Sequence, residues 1–323
     1  MLFSFVLGAI LFSFVGSAAP SKTEQRSDGC GKPLPSVVVR GNSKNLTINS
    51  RKRERKYRIH VPELYQTDVP VPLILSFHGR NKGMKFQEDL SQFSNASYGF
   101  EAIAVYPEGF EEASHPKQWQ GDPNAPEDID DIGFTLDLID HLLGRYCLDP
   151  ARVYAAGKSN GGGITGLLTC DPKATEKIAA FAAVSGAFYL NREGGELPAC
   201  NPIKSRDIIP ITDFHGEKDN TILCGGRTNE RNNSFIISVP TYVNQWAERD
   251  GFDANSNVTT TLCGTGAKEV TRYSWDDTVI HYKYKNLFHD WPSTFPNSDT
   301  NLTTCTDAEP TRVILDWFKK WSL

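Results

Sequence analysis

Short, continuously apolar runs alternate along this chain with amphipathic stretches of helical period, and few folds accept that alternation. Strands are expected at residues 57–61, 73–77, 102–106, 153–156, 180–184, 209–214 and 279–284. Several of these runs carry no polar alternation, the pattern of a strand covered on both faces. Helices are expected at 132–146, 161–169, 239–249 and 311–321. The interleaving predicts an α/β fold with a mostly parallel central sheet and helices on both faces. Reactive loops of such a sheet gather at the carboxyl ends of its strands.

One strand end carries a motif suited to that position. The run Gly157-Lys158-Ser159-Asn160-Gly161-Gly162-Gly163 directly follows an apolar stretch, so a GxSxG pattern falls where a strand turns into a helix. A serine there sits on a sharp, strained turn that lifts its hydroxyl toward substrate, and side chains at the flanking glycines would collide with strand or helix. The pattern alone is common, and its placement is what makes it informative. Two later loops complete a constellation: His215-Gly216-Glu217-Lys218-Asp219 closes the strand at 209–214, and Leu287-Phe288-His289-Asp290-Trp291-Pro292 follows the strand at 279–284. Ser159, Asp219 and His289 come in the chain order of α/β-hydrolase triads.

Each member has a physical task. A serine hydroxyl becomes a good nucleophile only when a base takes its proton, and a neutral imidazole does this near neutral pH. Asp219 would fix the ring tautomer and stabilise the imidazolium. The oxyanion needs backbone donors: Asn160 N–H supplies one, and Arg80 N–H, with Gly79 beside it, is the expected second, in the loop Phe77-His78-Gly79-Arg80.

Competing residues are weighed the same way. His78 and His215 also precede glycine at strand ends, but His78 is expected to pack under the oxyanion loop, and His215 lies too close to Asp219 to swing between acid and serine. His60, His115, His141 and His281 lack such flanks and read as solvated or capping residues. Among alternative acids, Asp213 falls within a strand, Glu217 within a turn, and Asp290 beside the base itself. The run Glu127-Asp128-Ile129-Asp130-Asp131 could suggest a cation site, yet it immediately precedes a helix, where acidic residues cap exposed N–H groups. No metal or other cofactor is required by the chemistry. Lys158, the variable position of the motif, is expected to point away from the reacting atoms. Trp119 and Trp291 sit near polar or motif residues, as core side chains or as an aromatic wall for substrate.

Compartment is written at the start of the chain. Residues 2–15 are almost wholly apolar and Gly16-Ser17-Ala18-Ala19 follows, the pattern of a secretion leader over 1–19. The apolar run is short for a membrane span, and no other segment could cross a bilayer. Residues 20–323 then read as one catalytic domain, secreted and extracellular, without a linker, repeat or low-complexity stretch. Seven cysteines, at 30, 147, 170, 200, 224, 263 and 305, allow three disulfides of undetermined connectivity and leave one thiol over. Five glycosylation sequons begin at Asn45, Asn95, Asn232, Asn257 and Asn301. A formal charge of −5 argues against a nucleic-acid partner, and the basic run at 51–56 reads as a solvated approach to the first strand.

The GxSxG run, the preceding Tyr146-Cys147-Leu148-Asp149-Pro150-Ala151-Arg152-Val153-Tyr154, the acid loop and the base loop together resemble secreted fungal feruloyl esterases, from about Cys30 onward. Gln118-Trp119-Gln120-Gly121 and Asp130-Asp131-Ile132-Gly133-Phe134 also fit the pattern. Cys224, where that pattern has an aromatic residue, departs from it. The resemblance implies the α/β-hydrolase fold, the same triad, and release of ferulic and related hydroxycinnamic acids from feruloylated arabinoxylan or pectin. Acetylxylan esterase, or another carbohydrate deacetylase, is the nearest alternative, because related scaffolds remove other acyl groups. A non-catalytic secreted carbohydrate-binding protein is the alternative of another class.

Overall fold

The computed structural model describes residues 25–112, 115–190, 199–228 and 234–323. The expected leader and the sequon at Asn232 lie outside the described residues. The strands are β1 (Ser43–Ser50), β2 (Arg53–His60), β3 (Val71–Phe77), β4 (Ile103–Pro107), β5 (Phe110–Glu112), β6 (His115–Gln118) and β7 (Leu148–Lys158). They continue as β8 (Ala180–Val184), β9 (Ile211–Gly216), β10 (Arg227–Thr228), β11 (Phe235–Ile236), β12 (Val258–Leu262), β13 (Val270–Trp275) and β14 (Val279–Tyr284). Ten of them form one sheet in the order β1-β2-β4-β3-β7-β8-β9-β14-β13-β12. The central strands from β4 to β14 run parallel, and antiparallel neighbours close both margins.

The continuously apolar runs are explained by what covers each face. On β3, Leu73, Leu75 and Phe77 enter one core and Ile74 the other; on β7, Val153 and Ala155 part from Tyr154 and Ala156 in the same way. Helices α2 (Asp131–Leu143), α3 (Asn160–Cys170), α4 (Pro172–Lys177) and α5 (Val239–Arg249) send Phe134, Leu138, Ile164, Leu168, Ala174 and Trp246 into the first core. The second core takes Leu90 from α1 (Met84–Ser91) and Ile314, Leu315 and Phe318 from α6 (Pro310–Phe318). With apolar cover on both sides a strand needs no polar face.

The acidic run begins α2 as a cap: the Asp130 carboxylate accepts the Gly133 N–H at 2.7 Å. Its neighbour Asp131 is fully buried and paired at 2.6 Å with Arg55, whose guanidinium lies 3.9 Å from the centre of the Phe134 ring. The basic run is therefore not a solvated approach throughout. Alternation along β2 turns Arg55 inward with Tyr57 and Ile59, and Asp131 receives it there.

Three disulfides, Cys30–Cys147, Cys170–Cys200 and Cys263–Cys305, leave Cys224 as a buried free thiol. Among the described residues no helix is long and apolar enough to cross a membrane.

Candidate active site

The end of β7 makes the turn that the motif requires. Ser159 has φ 56° and ψ −121°, a conformation that side-chain-bearing residues rarely adopt, and α3 starts at the next residue. The strain is held by backbone hydrogen bonds: Ser159 N–H donates to Val184 O at 3.0 Å, and Ser159 O accepts Gly163 N–H and Ala187 N–H at 2.9 and 3.0 Å. A Cβ on Gly157 would strike the Gly161 carbonyl, and one on Gly161 would strike the Phe77 and His78 carbonyls. Strand β3, strand β7 and helix α3 thus approach one another through the two glycines of the motif.

His289 reaches Ser159 across the sheet end. Its Nε2 lies 2.8 Å from Ser159 Oγ, and its Nδ1 lies 2.7 Å from Asp219 Oδ2. Asp219, beyond the end of β9, uses Oδ1 to accept the Thr221 and Ile222 N–H groups at 2.9 and 2.8 Å. This fixes the carboxylate, so that His289 carries its proton on Nδ1 and offers Nε2 to the serine. Burial works against ionising Asp219, but the hydrogen bonds from His215 and His289 outweigh it and hold the carboxyl well below the usual range.

His215 is buried, with Nε2 2.7 Å from Ile222 O and 3.2 Å from Asp219 Oδ2. It buttresses the acid and stands apart from the serine. Its four-residue spacing from Asp219 was the available signal. His78 is also buried: Nε2 accepts the Gly109 N–H at 2.9 Å, which leaves Nδ1–H to donate to Gly79 O at 2.8 Å. Burial pushes its pKa down to about 4, so the ring is neutral and braces the loop beside the serine.

In that loop, a Cβ built on Gly79 lies 3.3 Å from Ser159 Cβ. The Arg80 side chain turns toward Gln118, with Nε donating to Oε1 at 3.2 Å. Asn160 is the first residue of α3, and its N–H is one of the four that a helix leaves unpaired. Its side-chain Oδ1 accepts the Trp119 N–H at 2.8 Å.

The two tryptophans do not form an aromatic wall. Both are fully buried. Trp119 stands edge-on to Phe77 and donates from Nε1 to His78 O at 2.8 Å. Trp291 stands edge-on to Phe93 and donates to Thr311 Oγ1 at 3.1 Å. Both indoles fold inward, each with an internal acceptor for its N–H. Apolar surface next to the nucleophile comes instead from a narrow cavity bounded by Asn160, Gly163, Leu167, Ala187, Phe188 and Tyr189.

Other candidates separate clearly. Asp213 pairs with His281 Nδ1 at 2.9 Å, and both are buried, so His281 is neither solvated nor a helix cap. Register sets this pair opposite each other on adjacent parallel strands. Glu217 lies 3.7 Å from Lys283. The side chain of His115 lies outside the described residues. Gln120, in the run Gln118-Trp119-Gln120-Gly121, bonds to the run that starts α2: its Oε1 accepts Asp131 N–H at 2.9 Å and its own N–H donates to Asp131 Oδ2 at 2.6 Å. These bonds tie the loop after β6 to the start of α2.

A parallel sheet with a strained serine at a strand–helix elbow, an acid after a later strand and a histidine near the carboxyl end defines the α/β-hydrolase fold, and the chain has it. The solved acetyl xylan esterase from Aspergillus awamori shares it, with a TM-score of 0.57 at 14% identity over 85% of this chain and 99% of that one. By sequence the chain is similar to fungal feruloyl esterases. It is 31% identical over 174 residues to feruloyl esterase B of Piromyces equi, covering 53% of this chain and 30% of that protein. It is 27% identical over 195 residues to feruloyl esterase D of Neurospora crassa, covering 57% and 60%. A bifunctional acetylxylan esterase/xylanase of Neocallimastix patriciarum is 26% identical over 180 residues, covering 54% and 24%. The match takes in less than two thirds of the length of each of these relatives. No protein-family model matches the chain.

Proposed function

We propose that this protein is a secreted serine esterase that releases ferulic and related hydroxycinnamic acids from plant cell-wall polysaccharide. The observation that carries the reading is the unbroken hydrogen-bond chain Asp219–His289–Ser159 at 2.7 and 2.8 Å, with a buried acid held anionic at one end. The acyl group is inferred from the similarity to feruloyl esterases. Three disulfides fit an oxidising, extracellular compartment.

The mechanism is two-step acyl transfer. His289 Nε2 takes the hydroxyl proton as Ser159 Oγ attacks the ester carbonyl, and the N–H groups of Asn160 and Arg80 receive the developing oxyanion. Collapse breaks the ester bond, the leaving sugar hydroxyl takes the proton from His289, and the acyl group remains on Ser159. Water then attacks the acyl-enzyme with His289 again accepting a proton, and the free acid departs as the serine is reprotonated. Phe188 and Tyr189 line a small cavity that also takes in Asn160, the residue after the nucleophile.

The test is hydrolysis of methyl ferulate beside an aryl acetate by the secreted protein and its Ser159→Ala variant. The variant is expected to lose on the order of a million-fold in kcat with the fold intact. Serine-dependent cleavage of the ferulate supports the reading. Cleavage of the acetate alone would reassign the protein as a deacetylase, and sugar binding without turnover would make it a binding protein.

A further inference from the structure

The loop that presents His289 has no regular secondary structure between residues 285 and 292. Three consecutive carbonyls in it are instead each held by a different side chain. Lys158 Nζ donates to His289 O at 2.9 Å, Ser185 Oγ to Asp290 O at 3.1 Å, and Asn297 Nδ2 to Trp291 O at 2.9 Å. Only the first donor is charged, and it belongs to the residue bonded to Ser159. Its ammonium also lies 2.9 and 2.8 Å from the two carboxylate oxygens of Asp299, and Asp299 Oδ2 accepts the Trp291 N–H at 2.7 Å. The side chains of Lys158 and Asp299 are 8% and 10% exposed.

A buried ion pair is an expensive way to fill space, because desolvating two charges often costs more than their attraction returns, and an apolar pair would serve stability as well or better. Here it lies between the nucleophile's own backbone and the backbone of the base. One residue thereby couples Ser159, whose conformation is fixed by the elbow, to His289, whose loop has no ladder to hold it.

We propose that Lys158 is a positioning residue for the base: its ammonium, neutralised by Asp299, holds the His289 carbonyl and so sets the imidazole within hydrogen-bond reach of Ser159 Oγ. This rests on the reading of Ser159 and His289 as nucleophile and base. The Lys158 ammonium is spent on the His289 carbonyl and Asp299, so its loss should act on kcat and leave KM nearly alone.

The full chain is compared with its Lys158→Met, Lys158→Met/Asp299→Asn and Lys158→Arg variants, using the ester the wild type cleaves and following folding by circular dichroism and Tm. Lys158→Met is expected to lower kcat roughly ten- to hundredfold with KM within about twofold, the scale of a small misplacement of a catalytic group. It also strands the Asp299 carboxylate, so Tm falls. The double variant removes both charges and is expected to recover Tm but not kcat, because methionine cannot donate to the carbonyl. Lys158→Arg, which keeps a cation and donors, should recover most of kcat. If neither methionine variant folds, Lys158→Gln, polar but too short to reach the carbonyl, is read in the same way. A folded double variant with kcat within about threefold of wild type, or an effect confined to KM, overturns the proposal. Turnover persisting in Ser159→Ala would instead remove the reading of the site, whatever the Lys158 variants do.

Discussion

Gly161 has no room for a side chain, because a Cβ there meets the Phe77 and His78 carbonyls, which are backbone and cannot step aside. Gly161→Ala is expected to destabilise the fold by about 3 kcal/mol or more, the upper range for overpacking, and thermal unfolding would expose the shift. A variant as stable as the parent would mean that β3 and α3 do not approach this closely. At the acid, Asp219→Asn keeps the size of the side chain but removes the charge that orients His289. Kcat is expected to fall on the order of 10⁴-fold with the fold retained, and a loss of less than tenfold would deny Asp219 that task. Ser159, Asp219 and His289, which the fold joins in one hydrogen-bonded chain, could be picked out from order and strand ends because each lies beyond the end of an expected strand. The tryptophans were not, because polar neighbours in sequence say nothing about which way an indole turns.

Among elements, the central strands were readable because burial on both faces makes them uniformly apolar. The margins were not: β12 is exposed along nearly its whole length and β1 along much of it, so neither bears a hydrophobic pattern to detect. Asp250 caps the carboxyl end of helix α5, and its Oδ1 accepts the Ile209 N–H at 3.0 Å ahead of β9. Burial pushes the Asp250 pKa up to about 7, against the opposing pull of that hydrogen bond and of Arg206 and Arg249. The folded carboxyl therefore keeps its proton to higher pH than the unfolded one, which titrates near ~3.9. Between those values the native state binds more protons, so this group's contribution to stability falls as pH rises from about 4 to about 7, then levels. Asp250→Asn, which preserves an acceptor and cannot ionise, should flatten that part of a Tm-against-pH curve. An unchanged slope would show that Asp250 is not its source.

For the molecule as a whole, Cys30–Cys147 joins the chain ahead of β1 to the start of β7 across 117 residues. Replacing both cysteines by serine should cost about 2–5 kcal/mol, read as a lower Tm or denaturant midpoint. Burial pushes the Cys224 thiol up to about 11, so it is protonated and inert at neutral pH in the folded protein. Thiol titration should find none reactive in the native state and one per chain after unfolding without reductant. Two or more would contradict the disulfide pattern. Sequence by itself determined the α/β alternation, the strained serine elbow and the order in which Ser159, Asp219 and His289 come, because burial on two faces and crowding at a turn restrict residue type locally. Only tertiary structure decided which cysteines pair, that Arg55 and Asp131 meet in the core, that both tryptophans turn inward, and that Lys158 reaches His289. Those contacts join residues far apart in sequence, and their partners are fixed by strand register and loop path, which leave no local pattern in the residues themselves.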